Sequence, residues 1–284
     1  MTRQTKGIWL MIATVAGFAV QDGFSRMLAG AYNPFMVVMI RYWVFAAFVI
    51  ALATRQPEGL AALKTRALGL HAFRAALLVA EIIAIVYGFT LIGLIETHAV
   101  FAACPLLVVA LSGPVLGERL TTDKLVAVAI GCVGVLVLLN PGADVFSWAA
   151  LFPLASAFMF ALYTVLTRKV AGIDPFFPTF FWTPVLGAVL ATIAGLPHWE
   201  PVQGLDWLWL LTYASLSVLS YWLMQKTYEA VEASTVQPFA YLQIVFTSAI
   251  AIAFFDEALT LHVMLGAGIV ILAGLYTLTR GRKA

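Results

Sequence analysis

Charge is what this 284-residue sequence has least of: Asp, Glu, Lys and Arg together make up 11% of it, against about 25% in an ordinary soluble domain. With 63% hydrophobic residues beside that figure, a soluble fold of this length could not hide its apolar side chains. A disordered chain and a nucleic-acid binder are excluded on the same ground. Cysteine is nearly absent. Cys104 and Cys132 both lie inside apolar stretches and form neither a disulfide framework nor a metal-ligand spacing. Also missing are the G-x-x-x-x-G-K-S/T loop, H-E-x-x-H, G-x-S-x-G and CxxC. ATP is therefore not a built-in energy source, and no cofactor is called for. An intramembrane enzyme would have to recruit Asp22, Glu81 and His98, whose depths along their segments do not match. The reading is of a protein that is not an enzyme.

What is present is apolar sequence in long runs. A spanning helix takes about 20 residues, and connections bring each unit to about 28, so the length allows about ten spans. Ten segments fit, near 7–28, 34–54, 71–93, 97–116, 123–139, 147–167, 175–195, 205–226, 233–254 and 261–279. Turn chemistry separates them: Asn33-Pro34, Gln56-Pro57, Asn140-Pro141-Gly142, Asp174-Pro175 and the Leu196 to Asp206 stretch. The first segment, behind Met1 to Lys6, superficially resembles a signal peptide. With nine apolar segments following, it reads as a first transmembrane helix.

Lys and Arg collect on the cytoplasmic side of a membrane protein. With the N-terminus inside, that side carries Arg3, Lys6, Arg55, Lys64, Arg66, Arg74, Arg119, Lys124, Arg168, Lys169, Lys226, Arg280, Arg282 and Lys283, which is 14 of the 16 basic residues. Arg26 falls outside and Arg41 within the second span. Both termini are therefore expected in the cytoplasm.

The chain also repeats itself. Ser25-Arg26-Met27-Leu28-Ala29-Gly30, leading to Asn33-Pro34, returns 142 positions on as Thr167-Arg168-Lys169-Val170-Ala171-Gly172, leading to Asp174-Pro175. Glu118-Arg119-Leu120-Thr121 returns 139 positions on as Glu257-Ala258-Leu259-Thr260. The halves are 1–143 and 144–284. Five spans each is an odd number, so the second copy enters the membrane upside down. Arg119 and Lys124 at an inner loop, against Asp256 and Glu257 at its counterpart, agree with that inversion. Inverted repeats are a recurrent plan of secondary transporters, whose halves open alternately to either side.

Here the sequence resembles the drug/metabolite transporter superfamily, in its ten-helix EamA branch. The resemblance rests on Ile40-Arg41-Tyr42, on Gly117-Glu118-Arg119-Leu120-Thr121, and on Gly131-Cys132-Val133-Gly134. The second copy keeps Glu257 with Leu259-Thr260 but has Trp182 in the register of Arg41 and Ala258 in that of Arg119. Within the branch the chain is similar to the aromatic amino-acid exporters of the YddG type. The resemblance implies export or exchange of small metabolites across a bacterial inner membrane. It also implies peripheral positions for the fifth and tenth spans, whose Ala127, Gly131, Gly134, Gly266, Gly268 and Gly274 suit close packing within the chain or between copies.

Charges inside a bilayer cost about 2.5–3.5 kcal/mol each on insertion scales, so each needs a partner, water or a function. Glu81 falls near mid-membrane and is a candidate ligand for a substrate amine or a proton carrier; its alternative is a helix-packing residue. Asp22 and Arg41 lie at matching depth and are expected to form a structural ion pair, with Arg26 a rival partner for Asp22. His98 and Gln237 occupy equivalent repeat positions, and both offer hydrogen bonds to a cavity. Gln237 and Tyr241 share a helix face, which Gln243 does not, so at most one of those two sets is expected to face the pathway. The eighth segment carries a polar stripe of Tyr213, Ser217, Ser220 or Tyr221, and Gln225; Tyr163 and Thr164 add polar tips on the sixth. Pro105 and Pro184 are expected helix breaks. Trp199, Trp207 and Trp209 read as an interfacial belt.

The sequence thus predicts an all-α integral membrane protein of ten transmembrane helices in two inverted five-helix repeats. It would move small metabolites, best read as amino acids including aromatic ones, outward by alternating access. Glu81, His98, Tyr163, Tyr221, Gln237 and Tyr241 would contact the substrate, with protons a candidate coupling ion and no nucleic acid or metal involved. Its rivals are a carrier of nucleosides, sugars or lipophilic cations, and a non-transporting scaffold or receptor.

Overall fold

The computed structural model describes residues 3–118, 122–139 and 148–280. Arg119 to Thr121, the Asn140-Pro141-Gly142 turn, Arg282 and Lys283 lie outside the described residues, as do the side chains of Lys124 and Gln237. Among the described residues twelve α-helices follow one another: α1 (Arg3–Ala29), α2 (Pro34–Ala53), α3 (Leu68–Ile92), α4 (Leu94–Phe101), α5 (Cys104–Leu116), α6 (Thr122–Leu139), α7 (Leu151–Val170), α8 (Phe176–Gly195), α9 (Asp206–Ala230), α10 (Ala233–Ala240), α11 (Leu242–Phe255) and α12 (Leu261–Arg280). No strand occurs among the described residues.

Helix ends follow the turn chemistry. Asn33 accepts a hydrogen bond from the Phe35 N–H at 3.0 Å, and Pro34 takes the first helical position, where its missing donor is harmless. Gly117 and Asp256 close α5 and α11 in the left-handed conformation, at φ 70° and φ 53°.

Two of the expected apolar segments are split. The fourth forms α4 and α5, broken after Phe101, and the ninth forms α10 and α11, broken at Tyr241. Seven helical stretches among the described residues are long and apolar enough to cross a membrane, α4 with α5 counting as one. Leu242–Phe255 and Leu261–Ala273 are shorter apolar helices. Within the seven, only 44–56% of residues are buried in the protein. The remaining faces are still apolar, with Phe48, Phe73, Phe158 and Ile193 standing out from the surface. A hydrophobic exterior of this extent needs an apolar solvent.

The helices pack in a pattern that maps onto itself when each is exchanged with the one six places further on. Contact of α1 with α9 is matched by α7 with α3, and α1 with α11 by α7 with α5. Likewise α2 with α9 is matched by α8 with α3, while α2–α8 and α6–α12 pair across the exchange. Small residues permit the closest approaches: a Cβ at Gly17 would lie 2.4 Å from Ser220 Oγ of α9, and one at Gly187 would lie 2.3 Å from the Tyr42 ring. Helices α6 and α12 pack mainly on each other, to the side. The other ten surround a core of large side chains and a central set of cavities.

Candidate functional site

Three of the long helices bring polar side chains to the centre. From α1 come Gln21, Asp22 and Ser25, from α2 Arg41 and from α3 Glu81; α4 adds His98 and α11 adds Gln243. Together they line a cavity of about 430 Å³, walled by Phe18, Phe89, Phe101, Phe160, Tyr213 and Tyr221. Glu81, 4% exposed, accepts a hydrogen bond from the Ser156 hydroxyl at 2.8 Å. His98 Nε2 lies 3.1 Å from Asp22 Oδ2, and the Gln243 amide donates to the same oxygen at 3.2 Å. The His98 ring is stacked on Phe89 at 5.4 Å, which fixes its plane.

Arg41 and Asp22 both face this cavity but do not pair, and the expected ion pair is corrected on that point. Asp22 is engaged by His98 and Gln243, which approach from α4 and α11. Arg41 donates to the Tyr213 hydroxyl at 3.2 Å, and its guanidinium lies 5.2 Å from the Tyr221 ring centre and 5.4 Å from that of Tyr213. Rings around a guanidinium stabilise it by cation–π attraction without neutralising it. Its rival Arg26 pairs instead with Glu257.

A second cavity of about 500 Å³ shares the wall formed by Phe18, His98, Phe101, Phe160 and Gln243. Beyond that wall it is apolar and soft: Met11, Val15, Cys104, Pro105, Met224, Tyr228, Tyr241 and Ile244. Tyr241 and Gln243 line the same cavity, although helical spacing had set them on different faces. The break at Tyr241 is the reason, since the helical register restarts across it. Pro105 occupies the first turn of α5, just past the other break, and Leu107 donates back to the Ala103 carbonyl at 3.0 Å. Pro184 breaks nothing; α8 runs through it from Phe176 to Gly195.

Tyr163 lies apart from both cavities and lines a third, of about 240 Å³, with Tyr42, Pro184, Tyr221 and Gln225. Its ring packs against Arg74, whose guanidinium is 5.0 Å from the ring centre. Arg74, counted by sequence among the basic residues of the cytoplasmic side, is wholly buried. It donates to the Thr167 hydroxyl at 2.9 Å and touches His71 Nδ1 at 3.2 Å, while His71 Nε2 lies 3.0 Å from Asp174. Asp174 also accepts from the Arg66 N–H at 3.0 Å and from the Thr65 hydroxyl. Burial tends to raise this carboxyl, but the three donors outweigh it and hold its pKa below the ordinary value. Sequence spacing gave no signal for this cluster, because His71, Arg74, Thr167 and Asp174 meet only when α3 packs on α7.

The polar stripe of α9 is buried as a unit. Ser217 donates to the Tyr213 carbonyl at 2.9 Å, and Gln225 donates to the Phe176 carbonyl at 3.0 Å. Trp199, Trp207 and Trp209 are partly exposed at one end of the bundle. Among the described residues no group of three or more His, Cys, Asp or Glu could hold a metal ion.

A polar cavity buried among apolar-faced helices is the form of a carrier, and a family model agrees. The model described as the EamA-like transporter family matches residues 5–140 and again residues 147–279. The chain belongs to the EamA-like transporter family. It is therefore a multi-pass membrane protein and a transporter of small metabolites, not an enzyme. Among curated relatives, a S-adenosylmethionine uptake transporter of Rickettsia prowazekii is 23% identical over 97% of this chain and 93% of its own. A riboflavin transporter of Rhizobium johnstonii is 27% identical over 95% of this chain and 89% of its own. A solved crystal structure superposes with a TM-score of 0.71 at 18% identity, covering 96% of this chain and 99% of that one, a likeness of fold.

Proposed function

We propose that this EamA-like protein carries small amphoteric metabolites, amino acids and foremost aromatic ones, across a bacterial inner membrane by alternating access. The observation that carries the reading is the meeting of Glu81, Asp22, His98 and Arg41 on one cavity wall beside a second, apolar and aromatic cavity. A zwitterion presents both charges in a small volume. Glu81 meets its amine, and Arg41, with four of its five donors beyond the bond to Tyr213, meets its carboxylate. The flat side chain of the substrate lies past Phe18, Phe101 and Phe160, against Met224 and Tyr241. Gln237, at the repeat position of His98, belongs to the same proposed surface.

The same reading takes the protein as ten transmembrane helices with both termini cytoplasmic, in inverted repeats 1–143 and 144–284. The self-mapping helix contacts and the two successive family matches support it. Two inverted halves around one site supply alternating access. The direction expected from the sequence is outward. With no energy source built in, net flux follows the gradients imposed on it, and relatives named for uptake fit such a carrier. The Asp22–His98 contact is the candidate proton site for coupling.

The test is flux in proteoliposomes holding only the purified protein, with labelled aromatic and aliphatic amino acids, S-adenosylmethionine and riboflavin, with and without a pH gradient. Saturable flux of aromatic amino acids, competed by unlabelled ones and lost in Glu81→Gln, is expected. Silence across the panel in well-folded protein overturns the substrate assignment. Two carboxylates facing one cavity also favour a second reading, a carrier of organic cations. It is distinguished by Arg41→Gln, which would leave cation flux intact and abolish zwitterion flux.

A further inference from the structure

The two ends of the bundle carry the same device in different states. At one end, Glu257 accepts the backbone N–H groups of Leu94 and Ile95, at 2.9 and 2.8 Å, and pairs with Arg26. A carboxylate at a helix start satisfies otherwise unpaired donors and meets the positive end of the helix dipole. The Arg26 guanidinium also covers the Phe255 ring, 4.6 Å from its centre. Gly93, at φ 84°, leaves the space: a Cβ there would stand 2.9 Å from the Glu257 carboxylate. One carboxylate thus ties the end of α1, the start of α4 and the turn after α11.

Moving back 139 positions from Glu257 reaches Glu118, at the opposite end. The local backbone is the same. Gly117 and Asp256 are both left-handed, and both glutamates donate their N–H to a carbonyl six residues back, Ser112 at 3.4 Å and Ala251 at 3.3 Å. Helices α4 and α10 are equally long at eight residues, and Arg168 stands in α7 as Arg26 does in α1. The side chains differ. Glu118 Oε2 is buried and accepts no hydrogen bond, while Arg168 donates to the Tyr228 carbonyl at 2.8 Å. Tyr228 itself lines the apolar cavity, so Arg168 is bound at that cavity's wall. Glu118 is half-buried overall, and its donorless buried oxygen carries a desolvation cost that a donor would relieve.

We propose that Glu257 and Glu118 are reciprocal gate residues. The latch Arg26–Glu257–α4 holds one mouth shut, and its release accompanies closure of Glu118 onto Arg168 and the start of α10 at the other. Glu232 occupies the register of Gly93 with an extended backbone, φ −61° and ψ 143°. The second latch consequently relies on Arg168 more than on backbone donors. The inference rests on the alternating-access reading, and its test separates the two.

Single cysteines at Ser25, in the polar cavity, and at Thr164, in the apolar one, replace the native Cys104 and Cys132. Each reporter is labelled with a membrane-impermeant maleimide from either face of oriented vesicles. Breaking a charge-assisted latch shifts a two-state population by about tenfold. Glu257→Gln should therefore raise labelling of Ser25→Cys from the Glu257 face by about that factor and lower labelling of Thr164→Cys from the other face. Arg26→Gln, which leaves the helix start capped, should shift both in the same direction by less. Glu118→Gln should leave the pattern of the unsubstituted protein or deepen it. If neither Glu257→Gln nor Arg26→Gln changes a one-sided labelling pattern, the latch is overturned and alternating access stands. Reporters labelled equally from both faces in every variant overturn alternating access itself.

Discussion

The two cavities share five wall residues and have opposite chemistry. One gathers Asp22, Arg41, Glu81 and His98; the other is closed by Met11, Val15, Met224 and Ile244, with the hydroxyls of Thr14, Thr164, Tyr228 and Tyr241 as its uncharged polar tips. Charged groups in a membrane protein are costly and specific, so the first cavity can select a head group. Methionine and aromatic side chains are adaptable and bind by area, so the second can accept many flat shapes.

The largest effect should come from the polar side. Glu81→Gln removes a charge-assisted contact of about 1.5–3 kcal/mol, which weakens apparent affinity for amine-bearing substrates by about ten- to a hundredfold. Flux titrations with an amino acid and with its deaminated analogue measure this, and an equal loss for both would refute amine recognition by Glu81. Asp22→Asn should keep substrate affinity within about threefold, a change of about 0.65 kcal/mol that is less than one such contact, and should abolish the response to a pH gradient. A response that persists removes the Asp22–His98 pair from coupling.

On the apolar side effects should be smaller and selective. Tyr241→Ala should cost about two- to tenfold for aromatic substrates, the worth of one aromatic contact, and nothing for aliphatic ones. Equal losses for both classes would merge the two cavities into one function. The smallest effect lies outside both. Because its donors hold the Asp174 pKa below its ordinary 3.8, the stability this group contributes is fully present above about that pH. It is lost only as pH falls through the lowered value. Thermal unfolding of detergent-solubilised protein should show that loss in strongly acid buffer and not near neutrality, and Asp174→Asn should flatten it.

Much of the site was legible in residue type alone. Glu81, Asp22, Arg41 and His98 stood out because charge and imidazole are rare in apolar runs, and all four line one cavity. The pairing was not legible. Depth along a helix placed Asp22 level with Arg41, but depth says nothing about rotation around the bundle, and His98 faces Asp22 instead. Phe18, Phe101 and Phe160 carried no signal, being three of 20 phenylalanines in a chain where most face lipid or core.

The solvent of this protein, the positions of its apolar segments and its kinship follow from the linear chain. Each is written in composition, in turn residues and in a repeated register that survives any arrangement of the helices. Tertiary structure alone decided which side chains meet. The breaks at Phe101 and Tyr241 reset the helical phase, so Tyr241 and Gln243 face one cavity that a continuous helix would have denied them. Packing of α3 on α7 buried Arg74 beside Tyr163 and Thr167, neighbours that its place in the sequence does not show. The state of the two latches has the same origin. Glu118 and Glu257 sit in equivalent sequence and equivalent backbone, and only the neighbours brought to Glu257 by the fold give it donors.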